Sequence, residues 1–191
     1  MAGRVAFRFV FCYFVLYDFP SPLDAVPDIG PFAQLVTDAW ARLVQPVAEA
    51  VFGVAADVLP NGSGDTTFNY VQIFVIAMLS AVVTVAWSFL DRNRPDYNRL
   101  AGWLRVYLRF VVGVAMISYG AFKVIKAQFP AASLDRLLEP YGDASPMGLL
   151  WTFMGASTLY NLFTGAGEMA GGLLLFARRT QLLGALITAA V

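Results

Sequence analysis

The sequence predicts an all-α fold: a polytopic transmembrane helical bundle of four full spans plus the start of a fifth, with an amphipathic extracytoplasmic helix. Three observations carry that expectation. The 191-residue chain is 59% hydrophobic and 14% charged, whereas soluble domains carry about 25% charged residues to cover their surface. Its mean hydropathy is +0.64. Val71 to Leu90 is twenty residues without a charge, close to the roughly 20 that cross a bilayer core.

The first span is placed at Val5–Phe19 and ends at Pro20. Arg8 interrupts its apolar run and no small-residue cleavage site follows, so it is read as a retained helix and not a signal peptide. Cys12, the single cysteine, is a small apolar filler in that run. Residues 20–31 form a proline-rich turn region.

From Phe32 to Leu59 apolar residues recur at helical spacing, Trp40, Val47 and Val51 among them, and Gln34, Asp38, Arg42 and Glu49 take the other face. Pro46 should kink that helix. Its acidic polar face is the wrong sign for recruitment by anionic lipid. Two readings stay open: a lid over the outer end of the bundle, or a partner-docking helix. Asn61–Phe68 reads as a flexible turn in which Asp65 or Thr66 caps the second span. It lacks the lysine of a phosphate loop and the terminal glutamate of a calcium loop.

The second span runs Phe68–Leu90, the third Ala101–Ile125 and the fourth about Ala156–Ala177, with residues 126–155 as a connecting outer segment. A fifth begins at Gln181 and stops after eleven residues at Val191, about half the hydrocarbon thickness. The expectation is therefore of a helix that continues past this sequence. These elements group as 1–67 (first span and acidic loop), 68–100 (second span and basic loop) and 101–191 (the remaining helical unit).

Charge orients the spans. Seven acids face one base between Asp18 and Tyr70, whereas Arg92, Arg94, Arg99 and Arg105 crowd the next connection, and Arg178 and Arg179 follow the fourth span. Positive loops stay cytoplasmic. The N-terminus and the arginine loop are thus placed inside a cytoplasmic, bacterial inner-membrane face, and the acidic loop outside. Trp87 and Trp103 then lie at the inner interface, with Tyr70, Trp151 and Tyr160 at the outer one.

Several chemistries are excluded. The chain has no histidine, which removes the commonest general base and metal or haem ligand. One cysteine cannot make a dithiol centre or a thiolate zinc site, so no metal is expected. No basic tract with interleaved aromatics points to nucleic acid. No residue is singled out as catalytic.

What remains is an intramembrane polar site. Glu168 shares a helical face with Asn161, Gly165, Gly171 and Gly172, and the third span offers a face of Arg109, Gly113, Met116, Gly120 and Lys123. Small residues let helices approach closely in lipid, and a charge there must face inward and find a partner. Depth counting predicts a Glu168–Arg109 pair beside Gly113, with Lys123 nearer the outer end. Tyr119 is the remaining candidate for a ligand slot.

The segments RFVVGVAMISYGAFKVI and LFTGAGEMAGGLLLFARRTQLLGALI resemble the DoxX-like membrane family: an Arg, spaced glycines and a Lys, then E-x-x-G-G, an apolar stretch, a basic turn and a small-residue helix. Arg109, Gly113, Gly120, Lys123, Glu168, Gly171, Gly172 and Arg179 carry the likeness, over roughly 104–191. The resemblance implies a four-helix membrane bundle linked to redox or thiosulfate–quinone chemistry. Two functions follow: a membrane subunit of a redox or quinone-linked system, with a bound quinone or a partner performing electron transfer, or a non-catalytic scaffold, partner-binding or small-solute-handling bundle; no cofactor other than that quinone is predicted. Partners are the lipid bilayer, with a quinone or another membrane or extracytoplasmic protein.

Overall fold

The computed structural model describes residues 2–26, 28–58 and 66–190, and all regular structure among them is helical. The helices are α1 (Ala2–Asp18), α2 (Gly30–Val47), α3 (Thr67–Leu90), α4 (Asn98–Val124), α5 (Leu134–Leu138), α6 (Pro146–Ala156), α7 (Thr158–Phe176) and α8 (Gln181–Ala190). The chain divides into two compact units, residues 1–108 and 109–191, and the division falls within α4.

Among the described residues two helices, α3 and α4, are long and apolar enough to cross a membrane. Each begins at a polar stop. Thr66 accepts a bond from the Asn69 amide at 3.3 Å and so caps α3; the alternative cap, Asp65, lies outside the described residues, as does most of the predicted 61–68 turn. α4 starts at Asn98, three residues ahead of the expected Ala101, because Asp96 accepts from the Asn98 amide at 3.2 Å just after Pro95.

In the first unit α1 packs on α3, and α2 packs on the first half of α3. Val44 and Ala48 are buried against Phe68, Val71 and Val75, with Trp40 and Val47 alongside. The amphipathic helix is shorter than its periodicity predicts. Pro46 cannot donate to the helix ladder, and the turn after it widens to a π-turn at Ala48–Phe52. Gly53 then adopts φ +65° and ends the helix with bonds from its amide to Ala48 and Glu49 carbonyls. Val54 to Val58 lie beyond it, and Leu59 is outside the described residues.

In the second unit α7 and α8 form a close hairpin. A Cβ on Gly184 would stand 2.8 Å from the Leu175 amide nitrogen, and one on Gly171 2.9 Å from Thr188 Cγ2. The expected fourth span starts two residues later than predicted, since Ser157 is extended and its side chain caps α7 through the Tyr160 amide. The segment 126–155, expected as an outer connection, holds α5 and α6.

Both units carry an inverted polarity. α7 buries Asn161 and Glu168 while exposing Leu159 by 79% and Phe163 by 78%. α3 buries Ser80 and Thr84 and exposes Met78, Val82, Val85 and Phe89; α1 buries Arg8 and exposes Val5, Val10 and Phe14. A water-soluble surface follows the opposite rule.

Candidate functional site

The second unit brings most of the predicted polar residues to one seam between α4 and α7. A Cβ on Gly120 would lie 2.5 Å from the Gly165 carbonyl, and one on Gly172 2.7 Å from the Gly113 carbonyl. The backbones therefore touch at two levels, as small residues permit. Gly171, expected on this seam, faces α8 instead.

Lys123, and not Arg109, is the partner of Glu168: its ammonium makes a direct ion pair with Oε1, and Glu168 is 6% exposed. The helix register selects Lys123. The glycine contacts pair residue 120 with 165 and 113 with 172, so position 117 stands opposite Glu168. Lys123 is six residues beyond that level, about 9 Å, and Arg109 eight residues before it, about 12 Å. Side chains lean towards the N-terminus of their own helix. On antiparallel helices Lys123 and Glu168 lean towards each other, whereas Arg109 leans away.

Arg109 satisfies another need of α7. Its Nε donates to the Leu175 carbonyl and its Nη2 to the Phe176 carbonyl, both at 2.9 Å. These are the last carbonyls of the helix, which lack intrahelical donors and carry the negative end of its dipole. The other end of α7 is a helix break, and two side chains fill it. Asn161 Nδ2 donates to Met154 and Ser157 carbonyls at 2.7 and 2.9 Å. Lys126, left-handed at φ +56° where α4 ends, reaches the Gly155 carbonyl at 3.2 Å and Thr158 Oγ1 at 3.1 Å. Sequence reasoning missed Lys126, whose role depends on a break that the apolar run around Ser157 does not announce. Tyr119 does not join this group: it is 55% exposed.

Two buried oxygens on the seam have no hydrogen-bond partner among the described residues, Glu168 Oε2 and Asn161 Oδ1. The flanking positions 161, 165, 168 and 172 share one face of α7. Among the described residues no group of His, Cys, Asp or Glu side chains gathers as a metal site.

The first unit contains a second polar cluster, not anticipated from sequence. Arg8 is 4% exposed, yet donates from Nε to Tyr97 Oη at 2.8 Å, from Nη1 to Ser88 Oγ at 2.7 Å and from Nη2 to the Asp91 carbonyl at 2.8 Å. Tyr97 Oη in turn donates to Asp91 Oδ2 at 2.9 Å, and Trp87 Nε1 reaches the same oxygen at 3.4 Å. The Tyr97 hydrogen bond holds the Asp91 carboxyl below its ordinary range; desolvation opposes it, and Trp87, Arg94 and Arg8 reinforce it. A cleft of about 230 Å³ lies between α2 and α3, lined by Thr37, Trp40, Thr66, Phe68 and Gln72 with Asn69. Its Thr66 and Asn69 are bonded to each other in the α3 cap.

Neither a family model nor a solved structure matches the chain. A protein of Bacillus subtilis (strain 168), described as "Uncharacterized protein YwoB", is 35% identical to it over 78 residues, which is 41% of this chain and 44% of that protein. The chain thus spans less than half the length of the relative that it matches.

Proposed function

We propose that this chain is an integral membrane protein whose spans are α1, α3, α4 and α7, DoxX-like in its second unit, and that it works as a non-catalytic, small-solute-handling bundle. The observation that carries this reading is the inverted polarity of α7, which buries an ion pair and an amide beneath exposed leucine and phenylalanine. An ionisable side chain inside a bilayer faces the bundle interior and pairs there, and exposed apolar helix faces of this extent mark a membrane or protein contact surface. α1 and α7, with 17 and 19 residues, reach about 26 and 28 Å, near the thickness of the hydrocarbon core.

The redox or quinone-linked reading implied by the family resemblance draws less support. It calls for an apolar slot opening to lipid near Glu168, Tyr119 or Arg109. Arg109 is committed to the α7 carbonyls, and Tyr119 lies on an exposed face.

The membrane reading places the N-terminus and the arginine turn inside and the acidic segment outside. Alkaline carbonate washing should leave the full chain in the membrane pellet. Cysteines introduced at Asp57 and Asn93 should label from opposite sides with an impermeant reagent. Release into the wash, or labelling of both positions from one side, overturns the reading.

A further inference from the structure

We propose that the α4–α7 seam binds small neutral hydroxylic guests, one donating to Glu168 Oε2 and accepting from the Lys123 ammonium, another donating to Asn161 Oδ1. The inference rests on the membrane reading above and adds the chemistry of what the site takes.

Both acceptors are more than nine-tenths buried and lack a partner among the described residues. Turning the Asn161 amide over does not rescue its oxygen, because the amide nitrogen is fixed by two carbonyls, Met154 and Ser157. Unpaired acceptors are costly in a protein interior and more so in hydrocarbon, where no solvent replaces the missing donor. The donor therefore comes from a guest.

Three features of the site define that guest. The formal charges of Lys123 and Glu168 cancel, so neither a cation nor an anion is called for. Glu168 Oε1 takes one of the three ammonium donors, so Lys123 has donors to offer and the guest must accept as well as donate. Hydroxyl groups do both. Asn161 and Glu168 are seven residues apart, two turns or about 10 Å. Gly165 lies between them with its backbone against Gly120, so each acceptor takes its own hydroxyl, from one of two sources: water molecules, or the hydroxyls of small polyols.

The test uses the full chain in lipid vesicles, labelled with ¹⁵N and ¹³C for solid-state magnetic resonance. If water is the guest, magnetisation passes from water to the Asn161 side-chain amide and the Glu168 carboxylate as readily as to exposed side chains. If a polyol is the guest, that transfer is absent, and washed vesicles yield a stoichiometric hydroxyl compound on denaturation. Either result supports the site and names the source. Absence of both water transfer and bound compound, in protein that resists carbonate washing, overturns the inference and leaves the membrane reading standing. Release by carbonate overturns the membrane reading itself.

Discussion

The Arg8 cluster of the first unit and the Lys123–Glu168 seam of the second solve one problem in two ways. Each buries a charge in helices whose outward faces are apolar. Arg8 distributes its guanidinium over a hydroxyl, a phenol and a carbonyl, and Asp91, which shares the phenol, has further partners in Trp87 and Arg94, the latter at 3.7 Å. Glu168 depends on one ammonium, and its second oxygen lacks a partner among the described residues. The difference teaches that a buried charge can be secured by many modest bonds or by one strong bond. Only the second arrangement fails completely when one residue is removed.

Removing Lys123 should therefore have the largest effect. Lys123→Met leaves Glu168 buried without a counter-charge, a loss of about 3–5 kcal/mol, and adding Glu168→Gln recovers part of it. Arg8→Met leaves unsatisfied acceptors but no isolated buried carboxylate, a loss of about 1–3 kcal/mol. Reversible unfolding in mixed micelles measures both. Equal losses at the two sites would break the contrast between shared and single partners.

The next effect sharpens what holds the seam. A methyl group on Gly120 would stand 2.5 Å from the Gly165 carbonyl and 2.9 Å from the Met169 amide nitrogen. On Gly113 it would first meet the Phe176 ring, at 2.9 Å, with the Gly172 carbonyl at 3.2 Å. Backbone cannot step aside as a ring can. Gly120→Ala should cost towards the upper end of about 1–3 kcal/mol and Gly113→Ala towards the lower end, and Gly120→Ala should also weaken the Lys123–Glu168 contact. The reverse order in the same unfolding assay would mean that the ion pair, and not backbone contact, sets the helix spacing.

Much of this architecture was legible in the sequence because it follows from periodicity. Long apolar runs located α3 and α4, and the Thr66 cap was one of two readable stops. The spacing of Gly113, Gly120, Gly165 and Gly172 marked the seam. The ion-pair partner was not legible, since residue spacing places Lys123 and Arg109 on one face without fixing the antiparallel register or the lean of each side chain. Arg8 was visible only as an interruption, because its partners lie eighty and more residues away. Lys126 and the second role of Asn161 depend on the break at Ser157, where one extended residue divides an otherwise continuous apolar stretch. Gly53 was a readable stop for the amphipathic helix, but the apolar periodicity continuing to Val58 masked it.

The smallest effect concerns pH, and it probes the shared arrangement alone. The folded-state pKa of Asp91 is lowered, chiefly by the Tyr97 hydrogen bond. A lowered carboxylate pKa contributes stability that is complete above the ordinary value and lost as pH falls through the folded one. The ordinary value here is 3.8, so the cluster should hold unchanged from neutrality to about pH 4 and loosen below it. Trp87 reports the change directly, because its indole nitrogen lies 3.4 Å from the same carboxylate oxygen. In a chain where Trp40, Trp103 and Trp151 are replaced by Phe, Trp87 emission should be flat above that pH and shift below it. Asp91→Asn should remove the shift while leaving the Arg8 bond to the Asp91 backbone carbonyl in place. A transition nearer neutrality, or one that survives Asp91→Asn, would assign the response to another group. The claim that Asp91 and Arg8 act as one cluster would then fail.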